Sequence, residues 1–318
     1  MIWAYMIYLG NNMWNDPDSL TRFNKNDPRY YTEMYTSRAA WRKITDYLVE
    51  TGFNTLVIDL GEGLQYESHP DIACKGAWSK QEMAAEIARL KAKGITCVPK
   101  INFATTHDAW MGKYARMIGT PQYYQVVGDL IDEVCELFKP PLIHLGFDEE
   151  SRREIHMQNE YGYACYRLGE LYQKDLKFCI DRAEKHGVRP WLWAGLSCFH
   201  MKDFLASTPK EAVISTYNYG EIRNMFLLPD YTQQHMQAFK VLSDNGFDQI
   251  PTCSTCYDYY SVDDTFWYTL ENVDRKHLLG MFTTPWYRTG DEDIYTHFAD
   301  AKLFAAARNK YFPKEAVK

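Results

Sequence analysis

The sequence predicts an α/β chain closed into a single (β/α)8 TIM barrel, one domain over residues 1–318. Short apolar runs alternate with longer stretches of helical period along the whole chain, the pattern of a parallel sheet crossed by helices. There are eight such units, and no linker rich in Gly, Ser or Pro divides them, which favours a closed barrel over two domains. A chain of 318 residues is also within the range of one barrel.

The predicted strands lie at about 2–8, 55–60, 95–103, 142–147, 188–193, 212–217, 249–254 and 279–284, and helices follow each of them. The first run is apolar but lacks a basic start and is too short to span a bilayer, so it reads as a strand. That puts the chain in the cytoplasm as written, and in the periplasm or outside the cell if a signal peptide has been removed. After the second strand a helix is predicted at 79–93, opened by Ser79 with Glu82 three residues on as a capping box and closed by Gly94. The fourth strand leads to a helix at 163–186 that ends at Gly187, and the last helix, around 294–309, returns to the side of the first strand.

Composition excludes several classes of function. Hydrophobic residues make up 46% and charged residues 24%, which is ordinary globular material with enough for a core. The formal charge of -7 comes without any Lys/Arg run, so neither nucleic acid nor a membrane is an expected partner. Gly61-Glu62-Gly63 is too short for a phosphate loop and places an acid where a phosphate would sit. Of the 8 cysteines, Cys97, Cys135 and Cys179 read as buried apolar fillers; Cys253 and Cys256 form a lone C-x-x-C without the second pair a zinc site needs. No metal or cofactor is expected, and the sequence sets no oligomeric state. Aromatic content stands out, with 24 Tyr, 16 Phe and 9 Trp. Such rings serve core packing and also stack on sugar faces.

The fourth strand carries the strongest functional signal. Leu142-Ile143-His144-Leu145-Gly146-Phe147 runs directly into Asp148 and Glu149, and in a barrel of parallel strands the catalytic groups sit at the strands' C-terminal ends. A solvated acidic turn capping the next helix would give the same pair. The other strand ends add Asn11, Asn12 and Trp14; Asp59 and Glu62; Asn102, Thr105 and His107; Trp193; Tyr217, Asn218 and Tyr219; Tyr257 and Asp258; and Trp286 and Arg288. Carboxylates and amides that grip hydroxyl edges, together with rings that lie under apolar faces, fit a carbohydrate substrate.

These residues resemble glycoside hydrolase family 20, the β-N-acetylhexosaminidases. That family's fourth strand ends His-x-Gly-Gly-Asp-Glu, and His144 through Glu149 matches except at Phe147. Asn54-Thr55-Leu56 through Glu62 is similar to its Asn-Thr-Leu-x-x-His-Leu-x-Asp segment, with Asp59 in place of His and Glu62 in place of Asp. Pro99-Lys100-Ile101-Asn102 with His107 resembles its Pro-Glu-Ile-Asp followed by Gly-His, and Gly280 through Trp286 keeps the spacing of its eighth-strand segment. The family's first-strand Arg is missing near Asn11, Tyr217 stands for a Trp, Arg288 stands for an acid, and the family's small N-terminal α/β domain is absent.

The resemblance implies exo-acting, retaining hydrolysis of a terminal 2-acetamido sugar, in which the sugar's own acetamido oxygen is the nucleophile. Glu149 would protonate the leaving oxygen and then activate water, while Asp148 would orient the acetamido group. Trp193 and Trp286 would wall the sugar, Tyr257 would donate to the acetamido oxygen, and His107 and His144 would support rather than act as bases. Two alternatives stand beside it. One is a glycosidase of another sugar, with Asp59 or Glu62 as a second carboxylate and Arg288 and Lys100 pointing to an anionic ligand. The other is a carbohydrate-binding barrel without catalysis, or with unrelated chemistry.

Overall fold

The computed structural model describes residues 1–13, 30–149 and 167–314. Its strands are β1 (Ile2–Tyr8), β2 (Thr55–Asp59), β3 (Thr96–Lys100), β4 (Leu142–His144), β5 (Arg189–Trp193), β6 (Val213–Ser215), β7 (Tyr217–Asn218), β8 (Thr252–Cys253) and β9 (Gly280–Thr283). All pair in parallel, in the order β6-β5-β4-β3-β2-β1-β9-β8-β7. The two ends of that order are halves of one run broken at Thr216: Ser215 pairs with Trp193 of β5, and Tyr217 pairs with Thr252 of β8. Bridges from Ile214 to Gln249 and from Gln249 to Leu278 complete the ring. The nine strands are therefore the eight predicted runs, the sixth divided where it changes neighbours.

Three predicted strands are shorter than expected by three residues or more, and the third of the eight, predicted to 103, ends at Lys100. The fourth stops at His144 because Gly146 and Phe147 turn to positive φ, 77° and 65°, outside the extended region. The seventh keeps only Thr252 and Cys253, since Pro251 has no N–H to give to the ladder.

The described helices are α1 (Arg38–Glu50), α2 (Lys80–Ala92), α3 (Pro121–Phe138), α4 (Gly169–Lys185), α5 (Gly195–Ser207), α6 (Asp230–Asp244), α7 (Tyr260–Asn272) and α8 (Ile294–Tyr311). Ser79 and Glu82 form the capping box of α2, and the glycines after α2 and α4 take the positive φ that ends a helix, 83° at Gly94 and 69° at Gly187. The helix predicted from 163 begins instead at Gly169, since Leu168 is extended at φ -130°; the buried Arg167 before it donates to the Phe103 carbonyl at 2.7 Å and to the Tyr123 hydroxyl at 2.9 Å. Residues 163–166 lie outside the described residues. No described helix is long and apolar enough to cross a membrane.

Alternation along β1 divides the core into two layers. Trp3, Tyr5 and Ile7 pack outward against the helices, whereas Ala4, Met6 and Tyr8 join Val57, Val98, Trp191, Trp193 and Phe282 inside the barrel. Cys97, Cys135 and Cys179 are buried among the outer layer, as expected of apolar fillers. The interior also holds an ion pair, Lys100 with Asp59, at the ends of two neighbouring strands.

Candidate active site

The turn after β4 is held from three sides. Gly146 faces the Asn102 side chain so closely that a Cβ there would fall 1.9 Å from Oδ1, which requires glycine. The Gly146 amide donates to His144 Nδ1 at 3.1 Å, so the neutral ring carries its proton on Nε2. Burial pushes the His144 pKa well below the ordinary value, and Lys100 adds to that. Phe147 also takes a left-handed backbone, φ 65°, a conformation that costs a side chain about 1–2 kcal/mol. Its ring is fully buried, with the Arg167 guanidinium 4.5 Å from its centroid and Tyr172 at its edge.

Asp148 and Glu149 follow. Asn102 Nδ2 donates to Asp148 Oδ1 at 2.9 Å, and its own Oδ1 accepts from the Ala104 amide at 3.0 Å, which fixes the orientation of the amide. Asp148 is buried, while Glu149, at φ 52°, keeps 38% of its side chain exposed. His107 lies between the two, with Nε2 3.3 Å from Glu149 Oε2 and Nδ1 3.8 Å from Asp148 Oδ1. Burial pushes the His107 pKa down, and the opposing pull of Asp148 does not restore it; the ring is neutral near pH 7. On the other side, Gly195 allows close approach, since a Cβ there would lie 3.0 Å from both Asp148 Cα and the Glu149 amide.

Aromatic side chains line the same end of the barrel. Trp193 stacks on Phe282 at 5.7 Å, meets the edge of Tyr217 at 5.9 Å and approaches Trp286 at 6.0 Å. Trp286, half-buried at φ 58°, also meets Tyr8 and Tyr219. The buried Trp193 indole N–H has no hydrogen-bond partner among the described residues, a donor that still calls for an acceptor.

Other residues singled out from the sequence are engaged elsewhere. Asp59 pairs with Lys100, and burial nevertheless raises its pKa. Glu62 accepts the backbone amides of Asn11 at 2.7 Å and Asn12 at 3.1 Å; burial pushes its pKa up to about 7. Asp258 accepts from the Tyr260 amide at 2.8 Å at the start of α7. Arg288 donates to the Tyr31 hydroxyl at 2.8 Å and lies over the Tyr35 ring at 4.4 Å. The two cations that hinted at an anionic ligand, Lys100 and Arg288, are thus committed within the protein. Tyr257, expected to meet the acetamido group, is 83% exposed. Trp14, part of the predicted rim, lies outside the described residues.

The structure therefore brings together Asp148, Glu149, Asn102 and His107 against a wall of Trp193, Tyr217 and Trp286. Sequence reasoning missed Tyr8 and Gly195. The inward alternation of β1 was a signal for the first; the second lies two residues past Trp193 at the end of β5, but its close approach to another loop has no local signature.

Comparison with solved structures finds this barrel in glycoside hydrolases. A β-N-acetylhexosaminidase from Bacteroides fragilis NCTC 9343 aligns with a TM-score of 0.67 at 16% identity, over 96% of this chain and 65% of that one. An inactive variant of the family 20 exo-β-N-acetylglucosaminidase from Vibrio harveyi aligns with a TM-score of 0.61 at 16% identity, over 97% and 56%. The N-acetyl-β-hexosaminidase of Streptomyces plicatus, in complex with thio-NAglucal, aligns with a TM-score of 0.61 at 13% identity, over 99% and 64%. The chain spans less than two thirds of the length of each of these three. No protein-family model matches it, and no curated protein matches its sequence. The structural likeness establishes the fold of the barrel.

Proposed function

We propose that the chain is a glycoside hydrolase of the family 20 type that removes a terminal 2-acetamido sugar with retention of configuration. The observation that carries this reading is the placement of Asp148 and Glu149 on one turn, with Asn102 holding the first and His107 touching the second. Adjacent residues leaving one strand rarely flank a glycosidic bond from opposite faces, as a nucleophile and an acid must. The nucleophile then comes from the substrate, and the acetamido oxygen is the group that can supply it.

In this mechanism Glu149, the more exposed carboxyl, protonates the glycosidic oxygen as the acetamido oxygen attacks the anomeric carbon. Asp148 accepts the acetamido N–H and stabilises the positive charge of the cyclic intermediate. Glu149 then takes a proton from the water that reopens the ring. With the Thr106 hydroxyl donating to Nδ1, which it approaches at 2.8 Å, the neutral His107 presents its Nε2–H to Glu149. The donor sugars in the compared enzymes' names, N-acetylhexosamines, agree with this assignment.

The commitments of Asp59 to Lys100 and of Glu62 to two backbone amides count against either as a second catalytic carboxylate. The direct test is a panel of chromogenic glycosides: cleavage of the N-acetylglucosaminide or N-acetylgalactosaminide well above the plain hexosides is expected, and cleavage of plain hexosides alone would overturn the reading.

A further inference from the structure

Arg167 is buried where the β3 loop, α3, α4 and the β4 turn meet, and its guanidinium reaches each of them. Nη2 donates to the Phe103 carbonyl at 2.7 Å, while Nη1 donates to the Tyr123 hydroxyl of α3 at 2.9 Å and to Asp175 Oδ2 of α4 at 3.4 Å. The guanidinium carbon lies over the Phe147 ring, 4.5 Å from its centre. Both Arg167 and Asp175 are fully buried, and Asp175 also accepts from the Tyr124 hydroxyl at 2.5 Å. A charge survives burial when it is paired and hydrogen-bonded, a condition these partners meet. Lysine could not replace it, because only a guanidinium offers a rigid planar fork together with a face that stacks on a ring.

Two of these contacts bear on the candidate active site. Phe103 follows Asn102, whose amide holds Asp148 at 2.9 Å, and Phe147 precedes Asp148. The guanidinium therefore grips the backbone beside one partner of that hydrogen bond and the side chain beside the other. The Asn102 carbonyl accepts from the Trp110 indole at 3.0 Å, and the Phe103 amide donates to the Leu145 carbonyl at 3.3 Å, which ties the β3 loop to the same turn. Phe147 holds φ 65°, a left-handed backbone that a bulky side chain adopts only at a cost. A glycine there would bear no such cost and would leave the guanidinium no ring to hold.

We propose that Arg167 is a positioning residue for Asp148: it fixes the Phe147 side chain against the Phe103 backbone and thereby sets the Asn102–Asp148 contact in the geometry the reaction uses. This rests on the reading of Asp148 as the group that meets the acetamido nitrogen. A misplacement of about 1 Å caused by a change away from the chemistry can cost roughly 100-fold in rate. Loss of the clamp therefore acts on kcat more than on KM.

The test uses the full chain carrying Arg167→Lys, which keeps the charge and gives up the fork. In crystals of the ligand-free variant the Asn102–Asp148 separation, 2.9 Å in wild type, should open beyond hydrogen-bond reach. On an N-acetylhexosaminide kcat should fall roughly 10- to 100-fold while KM stays within about twofold. Binding of a thiazoline mimic of the cyclised intermediate should weaken by about tenfold more than binding of N-acetylglucosamine. Phe147→Leu stays apolar, removes the flat ring and leaves the fork intact. It should reproduce these changes in smaller degree, and it decides the matter if Arg167→Lys does not fold. Leu48→Ala, a core truncation in α1 beside Phe53 and Leu90, costs stability and should leave the thiazoline preference at its wild-type value. An unchanged Asn102–Asp148 contact in both variants would overturn the proposal. So would a lowered melting temperature with kcat and thiazoline preference both intact. A wild-type chain that neither hydrolyses the N-acetylhexosaminide nor prefers the thiazoline would sink the catalytic reading, and the crystallographic contact would then decide the clamp by itself.

Discussion

Asn102 and Asp148 come from different strands yet meet across 2.9 Å, the amide of one donating to the carboxylate of the other. Because the Asn102 oxygen is itself bound to the Ala104 amide, the side chain cannot flip, and one Asp148 oxygen is always occupied. The rotamer of the carboxylate is thereby set before any sugar arrives. A hydrogen bond to a charged group is worth about 1.5–3 kcal/mol. Asn102→Ala should therefore lower kcat/KM by roughly 10- to 100-fold with a smaller effect on thermal stability. Steady-state kinetics on an N-acetylhexosaminide within threefold of wild type would contradict this role.

Glu149→Gln keeps the shape of the side chain and removes its transferable proton. A loss of about 10²–10⁴-fold is expected on substrates with poor leaving groups, and a smaller loss on activated aryl glycosides, which need little protonation. Activity within tenfold of wild type on a disaccharide would rule out Glu149 as the acid.

Substrate assistance makes a further demand. A thiazoline mimic of the cyclised intermediate should bind far more tightly than the product sugar, since ligands resembling a transition state gain roughly 10²–10⁸-fold. Asp148→Asn should forfeit most of that gain. Trapping a covalent glycosyl adduct on any carboxylate would move the mechanism to a two-carboxylate scheme.

Phe147 stands where the related motif has glycine, and its φ of 65° explains why glycine suits the position. Relief of the left-handed backbone in Phe147→Gly is worth about 1–2 kcal/mol, but loss of a fully buried ring costs about 3–5 kcal/mol. Packing wins, and the variant should be less stable by about 2 kcal/mol in denaturant unfolding. A variant as stable as wild type would mean that the contacts of the ring with Arg167 and Tyr172 contribute little.

Asp300 is buried, with Thr255 and Thr283 hydroxyls as hydrogen-bond donors, and burial pushes its pKa up to about 6. Since the unfolded value is near 3.9, the folded state binds a proton that the unfolded chain has already released. Its contribution to stability is full below about pH 4 and is lost as pH rises through about 6. Asp300→Asn removes this dependence, and the two hydroxyls can turn to accept from the new amide. Relative to wild type, the variant should gain on the order of 2–3 kcal/mol between pH 4 and pH 7. Unfolding curves at the two pH values that show no such gain would refute the assignment.

The order of strands and helices was legible in the chain because it is written in local periodicity. Alternation in β1, the capping box of Ser79 with Glu82, and glycines such as Gly187 act over a few residues and need no distant partner. The position of Asp148 and Glu149 followed from the same logic, as residues just past a barrel strand. What each polar side chain does there was decided by tertiary structure. Lys100 and Arg288 looked alike as cations near the rim, yet the first is buried against Asp59 and the second lies on Tyr31 and Tyr35, more than 250 residues away in sequence. Glu62 turned to two amides of the β1 loop, and His107 came to lie between both carboxylates of the β4 turn. The physical reason is that a buried charge or polar group must find a partner. That partner is chosen by which loops the closed barrel brings together and by the backbone angles at turns such as Gly146-Phe147, neither of which is encoded in the spacing of residues along the chain.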